Sequence, residues 1–278
     1  VSHDHLDYHK KMNDYLNSKL YLFEKLIKET GSIVADANIP EIRKIKKISR
    51  KKQINLDLIL DKYKGIQLIS HKFENERQIL SIRFRGKKYD FKLNLIGKLQ
   101  IKNLLMAILC AAKNGIKLNN IIKILHKIKP VEGRLEKIGS IKNNSRVILD
   151  YAHTPIALET TLKNLKEQFP SSKISLVFGC GGDRDFKKRF AMGKIAEKYS
   201  NKIYLTDDNP RNENPSKIRK EIKRGIKKTK ILEITKRNEA IYRAINELNS
   251  GDLLLVAGKG HEKTQDYGTK NFFFSDQE

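Results

Sequence analysis

Tryptophan is absent from this 278-residue chain, and cysteine, methionine and proline are scarce, at two, three and six residues. The two cysteines, Cys110 in an apolar run and Cys180 among glycines, are too few and too far apart for a disulfide framework. A reducing, cytosolic compartment is therefore expected. Long apolar runs are missing too. The longest, Leu104 to Ala112, falls far short of the roughly 20 residues that a membrane-spanning helix needs, so no membrane insertion is expected. The opening stretch, Val1 to Lys11, is polar and rich in His and Asp, unlike a secretory leader. A phosphate-binding G-x-x-x-x-G-K-[S/T] loop is also absent. Gly97–Lys98 and Gly258–Lys259 both lack the earlier glycine, and neither is followed by Ser or Thr. Acidic residues are the minority charge, 32 against 57 Lys and Arg, for a formal net charge of +25. The lysines are spread through every segment, and the basic runs 42–52 and 222–230 carry no interleaved aromatics. That pattern argues against nucleic acid as partner, while a positive field suits phosphorylated, anionic substrates.

What is present divides into two regions meeting near residues 130–145, and the length suffices for two cores. The first region is mixed. Helical spacing is expected over 14–28, 101–115 and 119–128, and strands over 32–35, 65–70, 78–84 and 89–96, with a turn at Gly86. The second alternates. Strands are expected at 146–150, 173–179, 202–206, 231–234 and 252–258, with helices at 155–169, 186–200, 215–228 and 239–249 between them. Such β-α repetition predicts an α/β fold with a mainly parallel sheet.

Four runs of unusual residues follow strands of that sheet: DYAHTP (150–155), GCGGDRD (179–185), DDNPR (207–211) and GKGHE (258–262). Ligands bind beyond the carboxyl ends of strands in open α/β sheets, and four such loops at one edge point to a site. Each alone would also pass as turn chemistry. Gly179, Gly181 and Gly182 permit close backbone approach and can offer N–H groups to an anion. Arg184 and Arg211 are planar forks for carboxylate or phosphate. Asp208 and Glu262 can accept from an ammonium group. A pocket of both signs fits a zwitterion such as an amino acid. Asp150 can accept from ribose hydroxyls, and His153 can stack on a base. Cys180 has no adjacent base and reads as a small neutral filler. At the amino terminus, SHDHLDYH (2–9) crowds three histidines and two aspartates together; it reads either as ligands for a divalent metal or as a polar cap before the first helix.

The set DHLDYH, GRLE (133–136), DYAHTP, GCGGDRD, DDNPR and AGKGHE, in this order, resembles the Mur ligases, and within them the diaminopimelate-adding branch. The resemblance spans the chain and is most specific over 130–278. It implies that 1–135 is the C-terminal part of a central ATP-binding domain and 136–278 a Rossmann-like C-terminal domain that binds the amino acid. Against that plan the chain begins after the phosphate loop and stops shortly before the usual end, so a fragment inactive by itself is expected. The resemblance implies a magnesium ligand at His5 and, at Lys19, a lysine that is carbamylated in the family and helps hold a second Mg2+. Around the nucleotide it places Gln100, Asn103, Arg134, Asp150 and His153; Gln100 departs from the usual Asn. For the incoming amino acid it implies Arg184, Asp208, Asn209, Arg211, Gly258 and Glu262, with Arg211 on the far carboxylate of meso-diaminopimelate, which lysine lacks.

The activity so implied is ATP-dependent amide formation between meso-diaminopimelate and UDP-MurNAc-L-Ala-D-Glu, through an acyl phosphate, in a cytoplasmic monomer. A lysine-adding relative, a folylpolyglutamate-type ligase and a non-catalytic basic module are the alternatives.

Overall fold

The structure, a computed structural model, describes residues 8–60, 65–74, 76–141 and 144–278. The described chain forms two compact units, one over His9–Lys129 and one over Pro130–Glu278.

The first unit opens with helix α1 (Met12–Tyr21), which runs on into a π-type turn over Leu22–Leu26 in which Ile27 N–H donates to the Leu22 carbonyl at 2.9 Å. Strand β1 (Ser32–Asp36), helix α2 (Ile42–Lys51) and strand β2 (Asn55–Ile59) form a parallel β-α-β unit. Strands β3 (Gln67–Glu74), β4 (Arg77–Phe84) and β5 (Lys87–Leu93) form an antiparallel meander, followed by helices α3 (Lys98–Lys113) and α4 (Leu118–Ile124). The basic run at 42–52 is mostly α2. Its Ile45 and Ile48 are buried with Leu20, Ile33 and Ile54, while Arg43, Lys44, Lys47 and Arg50 face solvent. Helix α3 buries Ile101, Leu104, Leu105, Ile108 and Leu109, a single stripe at 3.6-residue spacing, against Leu80, Ile82, Phe91 and Leu93 of the meander.

The second unit contains strands β6 (Glu136–Ile141) and β7 (Ser145–Asp150), helix α5 (Pro155–Gln168), strand β8 (Ile174–Phe178) and helix α6 (Lys187–Tyr199). Strand β9 (Lys202–Leu205), helix α7 (Pro215–Lys223), strand β10 (Lys230–Glu233), helix α8 (Arg237–Asn246) and strand β11 (Leu253–Ala257) follow. A short hairpin, β12 (Thr264–Asp266) with β13 (Asn271–Phe273), lies beyond. The sheet order is β10-β9-β8-β11-β7-β6. All neighbours are parallel except β6, an antiparallel edge that the β-α reading did not foresee.

Strand β11 reads LLLVA and is buried throughout, as a central strand covered on both faces must be. Val147, Leu149, Val177, Tyr204, Leu254 and Val256 form a core with Ala240 and Ala244 of α8. The connections run outward from β8 to β9 and β10, and the chain then returns to place β11 on the other side of β8. That reversal opens a crevice above the carboxyl ends of β8 and β11. Among the described residues no helix is long and apolar enough to cross a membrane.

Candidate functional site

A cavity of about 260 Å³ occupies that crevice. Tyr151 and His153 line it from the loop after β7, Cys180, Arg184 and Asp185 from the segment joining β8 to α6, and Lys188 from the first turn of α6. Asp208, Asn209 and Arg211 come from the loop after β9, and Gly258 and Glu262 from the loop after β11. Three cations, Arg184, Lys188 and Arg211, thus share one wall system with three carboxylates, Asp185, Asp208 and Glu262. All six residues that the resemblance assigned to the amino acid line this single cavity.

The loops are held by a polar network behind the walls. Asn209 accepts at Oδ1 from Lys259 Nζ (3.0 Å) and from Asp266 N–H (3.0 Å), and donates from Nδ2 to Glu262 Oε2 (3.0 Å). Arg211 adopts φ +51°, in the left-handed region that branched or bulky side chains avoid. Its backbone N–H donates to the Asp266 carbonyl at 3.0 Å. Its Nη1 donates to the Gly182 carbonyl at 2.7 Å, with Asp266 Oδ2 3.6 Å from Nε. A guanidinium has five N–H donors, more than these partners use. Gln265 Nε2 donates to the Asp208 carbonyl at 2.7 Å, and Tyr267 donates to Asp207 Oδ2 at 3.1 Å. Asp207 is also paired with Arg219, which reaches Glu233 at 2.9 Å. The hairpin β12–β13 is therefore the backing of the DDNPR loop.

Two glycines of GCGGDRD, Gly179 and Gly182, serve the packing of loops. A Cβ on Gly182 would stand 1.8 Å from the Pro210 carbonyl oxygen, and one on Gly179 2.4 Å from that of Thr206. The Gly182 N–H is spent on the Asn209 carbonyl at 2.9 Å. These residues let the loops after β8 and β9 close on one another, so close approach here is loop against loop.

Asp150, at the end of β7, is buried and faces inward. Its Oδ2 accepts from Leu135 N–H at 2.8 Å, and its Oδ1 accepts from Ala152 N–H and the Thr161 hydroxyl, each at 3.0 Å. Burial raises its carboxyl above the ordinary range, and these donors oppose the rise. A ribose hydroxyl would have to share oxygens already engaged in fixing the GRLE turn. Arg134 stacks on the Tyr151 ring, its guanidinium carbon 4.2 Å from the centroid. His153 lies edge-on to the same ring at 4.7 Å and donates from Nδ1 to the Tyr151 carbonyl at 2.8 Å, the acceptor assigning the proton to that nitrogen. His261 is 5.5 Å from the Tyr151 ring. Burial and the Glu262 carboxylate beside it push the Tyr151 hydroxyl pKa up.

Cys180 is buried, and burial pushes its thiol to about 12, with Met192 Sδ at 3.5 Å. At neutral pH it is a protonated filler.

Lys19, Gln100 and Asn103 belong to the first unit. Lys19 is exposed in the last turn of α1, its Nζ 5.4 Å from the Tyr15 ring centroid. Gln100 and Asn103 stand one turn apart at the start of α3, Gln100 partly buried and Asn103 exposed. His5 lies outside the described residues. Among the described residues no group of three or more His, Cys, Asp or Glu side chains converges to hold a metal ion.

Sequence reasoning passed over Lys259, Lys188 and Tyr151. Lys259 lies in the marked GKGHE loop, but the sequence gives its side chain no role there. The glycines on either side of it are the sign the sequence offers of a tightly built turn, and the structure gives them φ +116° at Gly258 and +55° at Gly260.

Two family models match the chain: "Mur ligase middle domain" over residues 1–111 and "Mur ligase, glutamate ligase domain" over 133–260. A UDP-N-acetylmuramoyl-L-alanyl-D-glutamate–2,6-diaminopimelate ligase from Rickettsia montanensis is 41% identical over 278 residues, all of this chain and 57% of that protein. A solved ligase of the same name superposes with a TM-score of 0.64 at 29% identity, covering 99% of this chain and 56% of its own. A MurF ligase from Thermotoga maritima, solved with ADP, shares the fold with a TM-score of 0.71 at 18% identity over 91% of this chain and 55% of its own. The chain thus spans little more than half the length of these relatives.

Proposed function

Since this chain belongs to the Mur ligase family, we propose that its second unit is the part of an ATP-dependent amide ligase that selects the incoming amino acid, meso-diaminopimelate. The observation that carries this reading is the cavity at the β8/β11 crevice, where three cationic and three anionic side chains converge. A diaminopimelate molecule presents two carboxylates and two amines. Arg184 and Arg211 suit its carboxylates as planar forks, and Asp208 and Glu262 suit its ammonium groups. Arg211 is the residue for the far carboxylate. Arg211 lines the cavity with its guanidinium held by the Gly182 carbonyl, and its left-handed backbone is held by Asp266.

The second substrate is UDP-MurNAc-L-Ala-D-Glu. In the reaction implied for the family, ATP phosphorylates its glutamate γ-carboxylate, the amine of diaminopimelate attacks the acyl phosphate, and phosphate leaves. The cavity residues contribute by orienting that amine and excluding competing nucleophiles. The family's magnesium would accompany ATP and offset its charge. The described residues do not by themselves form such a site. The sequence holds no G-x-x-x-x-G-K-[S/T] loop, and we expect no ATP-driven amide formation from these residues alone.

A ligand panel tests the reading. The chain is titrated calorimetrically with meso-diaminopimelate, L-lysine, D-glutamate and duplex DNA. Preferential binding of meso-diaminopimelate supports it. Salt-dependent binding of DNA with no response to any amino acid would contradict it.

A further inference from the structure

We infer that Lys259 is a positioning residue of the amino-acid pocket, locking the amide of Asn209 and the carboxylate of Glu262 in the one arrangement that serves a ligand. The inference rests on reading the cavity as an amino-acid pocket. Lys259 does not line the cavity; it stands behind the wall, with none of its surface exposed. Its Nζ meets Asn209 Oδ1 at 3.0 Å, Glu262 Oε2 at 3.1 Å and the Thr264 carbonyl at 2.6 Å. Three N–H donors meet three acceptors, drawn from the loop after β9, the loop after β11 and the first residue of β12. A fully buried ammonium is costly unless every donor is used and a counter-charge is near, and both conditions hold here.

The consequence for Asn209 is directional. Its Oδ1 receives both Lys259 Nζ and Asp266 N–H. A flipped amide would set its NH2 against those two donors, so the oxygen must point back and Nδ2 must point to Glu262. The consequence for Glu262 is a fixed carboxylate. Oε2 takes donors from both Lys259 and Asn209, with the Tyr151 hydroxyl also beside the group. A carboxylate so held is preorganised for an ammonium ligand at no further ordering cost. A methionine at 259 would keep the volume and lose all three contacts.

The test uses the whole 278-residue chain, labelled with nitrogen-15, as wild type and Lys259→Met. In wild type the Asn209 side-chain NH2 pair is expected to exchange slowly with water. In Lys259→Met it moves toward free-amide frequencies and exchanges fast, while signals distant from the pocket stay in place. Calorimetric binding of meso-diaminopimelate weakens by about tenfold or more, the scale of a lost charge-assisted contact. Adding Asn209→Ala to that variant costs little more, because both changes break one unit. Unchanged Asn209 signals, or unchanged affinity in a folded Lys259→Met chain, overturn the inference. Should that variant fail to fold, the wild-type chain still decides. A shielded Lys259 ammonium gives a visible Nζ–H correlation that shifts on adding meso-diaminopimelate, and its absence or indifference counts against the role. A chain that shows the Lys259–Asn209 signature yet binds no amino acid instead contradicts the amino-acid reading of the cavity.

Discussion

The Oδ2 atom of Asp208 stands 2.6 Å from where a Cβ on Gly258 would lie. Gly258 also adopts φ +116° and donates its N–H to the Asp150 carbonyl at 3.0 Å. The loops after β9 and β11 therefore meet at a point where only glycine fits. Gly258→Ala should displace Asp208 and strain the turn, lowering stability by about 1–3 kcal/mol. Urea unfolding measures the loss, and a crystal structure of the variant should show Asp208 rotated from the cavity.

The two cysteines should differ in reactivity. Cys180 is buried with its thiol pushed to about 12, whereas Cys110 is exposed. The thiolate is the reactive form, so at about pH 8 a disulfide reagent should label one thiol per folded chain and both after unfolding. Peptide mapping should place the first label on Cys110. Rapid labelling of Cys180 in the folded chain would contradict its burial.

Arg237 and Asp276 form a doubly hydrogen-bonded pair, at 2.6 and 2.7 Å, with neither side chain exposed. Arg237 also donates to the Ala257 carbonyl at 3.0 Å, at the end of β11. Arg237→Met leaves Asp276 buried without a counter-charge and should cost about 3–5 kcal/mol. Adding Asp276→Asn should recover part of that loss. A double variant as unstable as the single would show that packing, not charge, sets the cost.

Glu247 accepts from Lys202, from Tyr204 at 2.6 Å and from Arg243 at 2.9 Å, and these contacts, Lys202 first, lower its carboxyl to about 2, well below the ordinary glutamate range. A carboxyl depressed in the folded state contributes stability above its unfolded pKa, and the contribution is lost as pH falls between about 4.5 and 2. The side chain is 30% exposed, so solvent screening limits the effect to about 0.5–1 kcal/mol. Glu247→Gln should flatten the acid limb of stability in that window, read from urea midpoints at pH values above and below it.

Much of the second unit was legible because its strands announce themselves twice, as apolar runs and through the loops that follow them. Strands β7, β8, β9 and β11 fall within a residue or two of their expected positions, and the structure adds Thr154 as the cap of α5 ahead of Pro155. The four marked loops do reach one edge. Where reading failed, a local signal was hidden by a louder one. In α2, six cations in ten residues masked Ile45 and Ile48, which tie it to the core. Strand β6 lacks the apolar density of its neighbours because it is an antiparallel edge. The role of Gly182 depends on the Pro210 carbonyl, 28 residues on, a contact made only by folding. Lys259 was invisible for the same reason, since its three acceptors come together only when the loop after β9 and the hairpin close around it.

Arg211 carries the central claim, that this pocket chooses an amino acid with a second carboxylate. The direct measurement is the ratio of binding constants for meso-diaminopimelate and L-lysine, in wild type and in Arg211→Ala, by calorimetry on the same chain. The account predicts a strong wild-type preference for meso-diaminopimelate that falls by about 10- to 100-fold in the variant, the worth of a hydrogen-bonded charge pair. An Arg211→Ala chain that stays folded and keeps the wild-type ratio would contradict it.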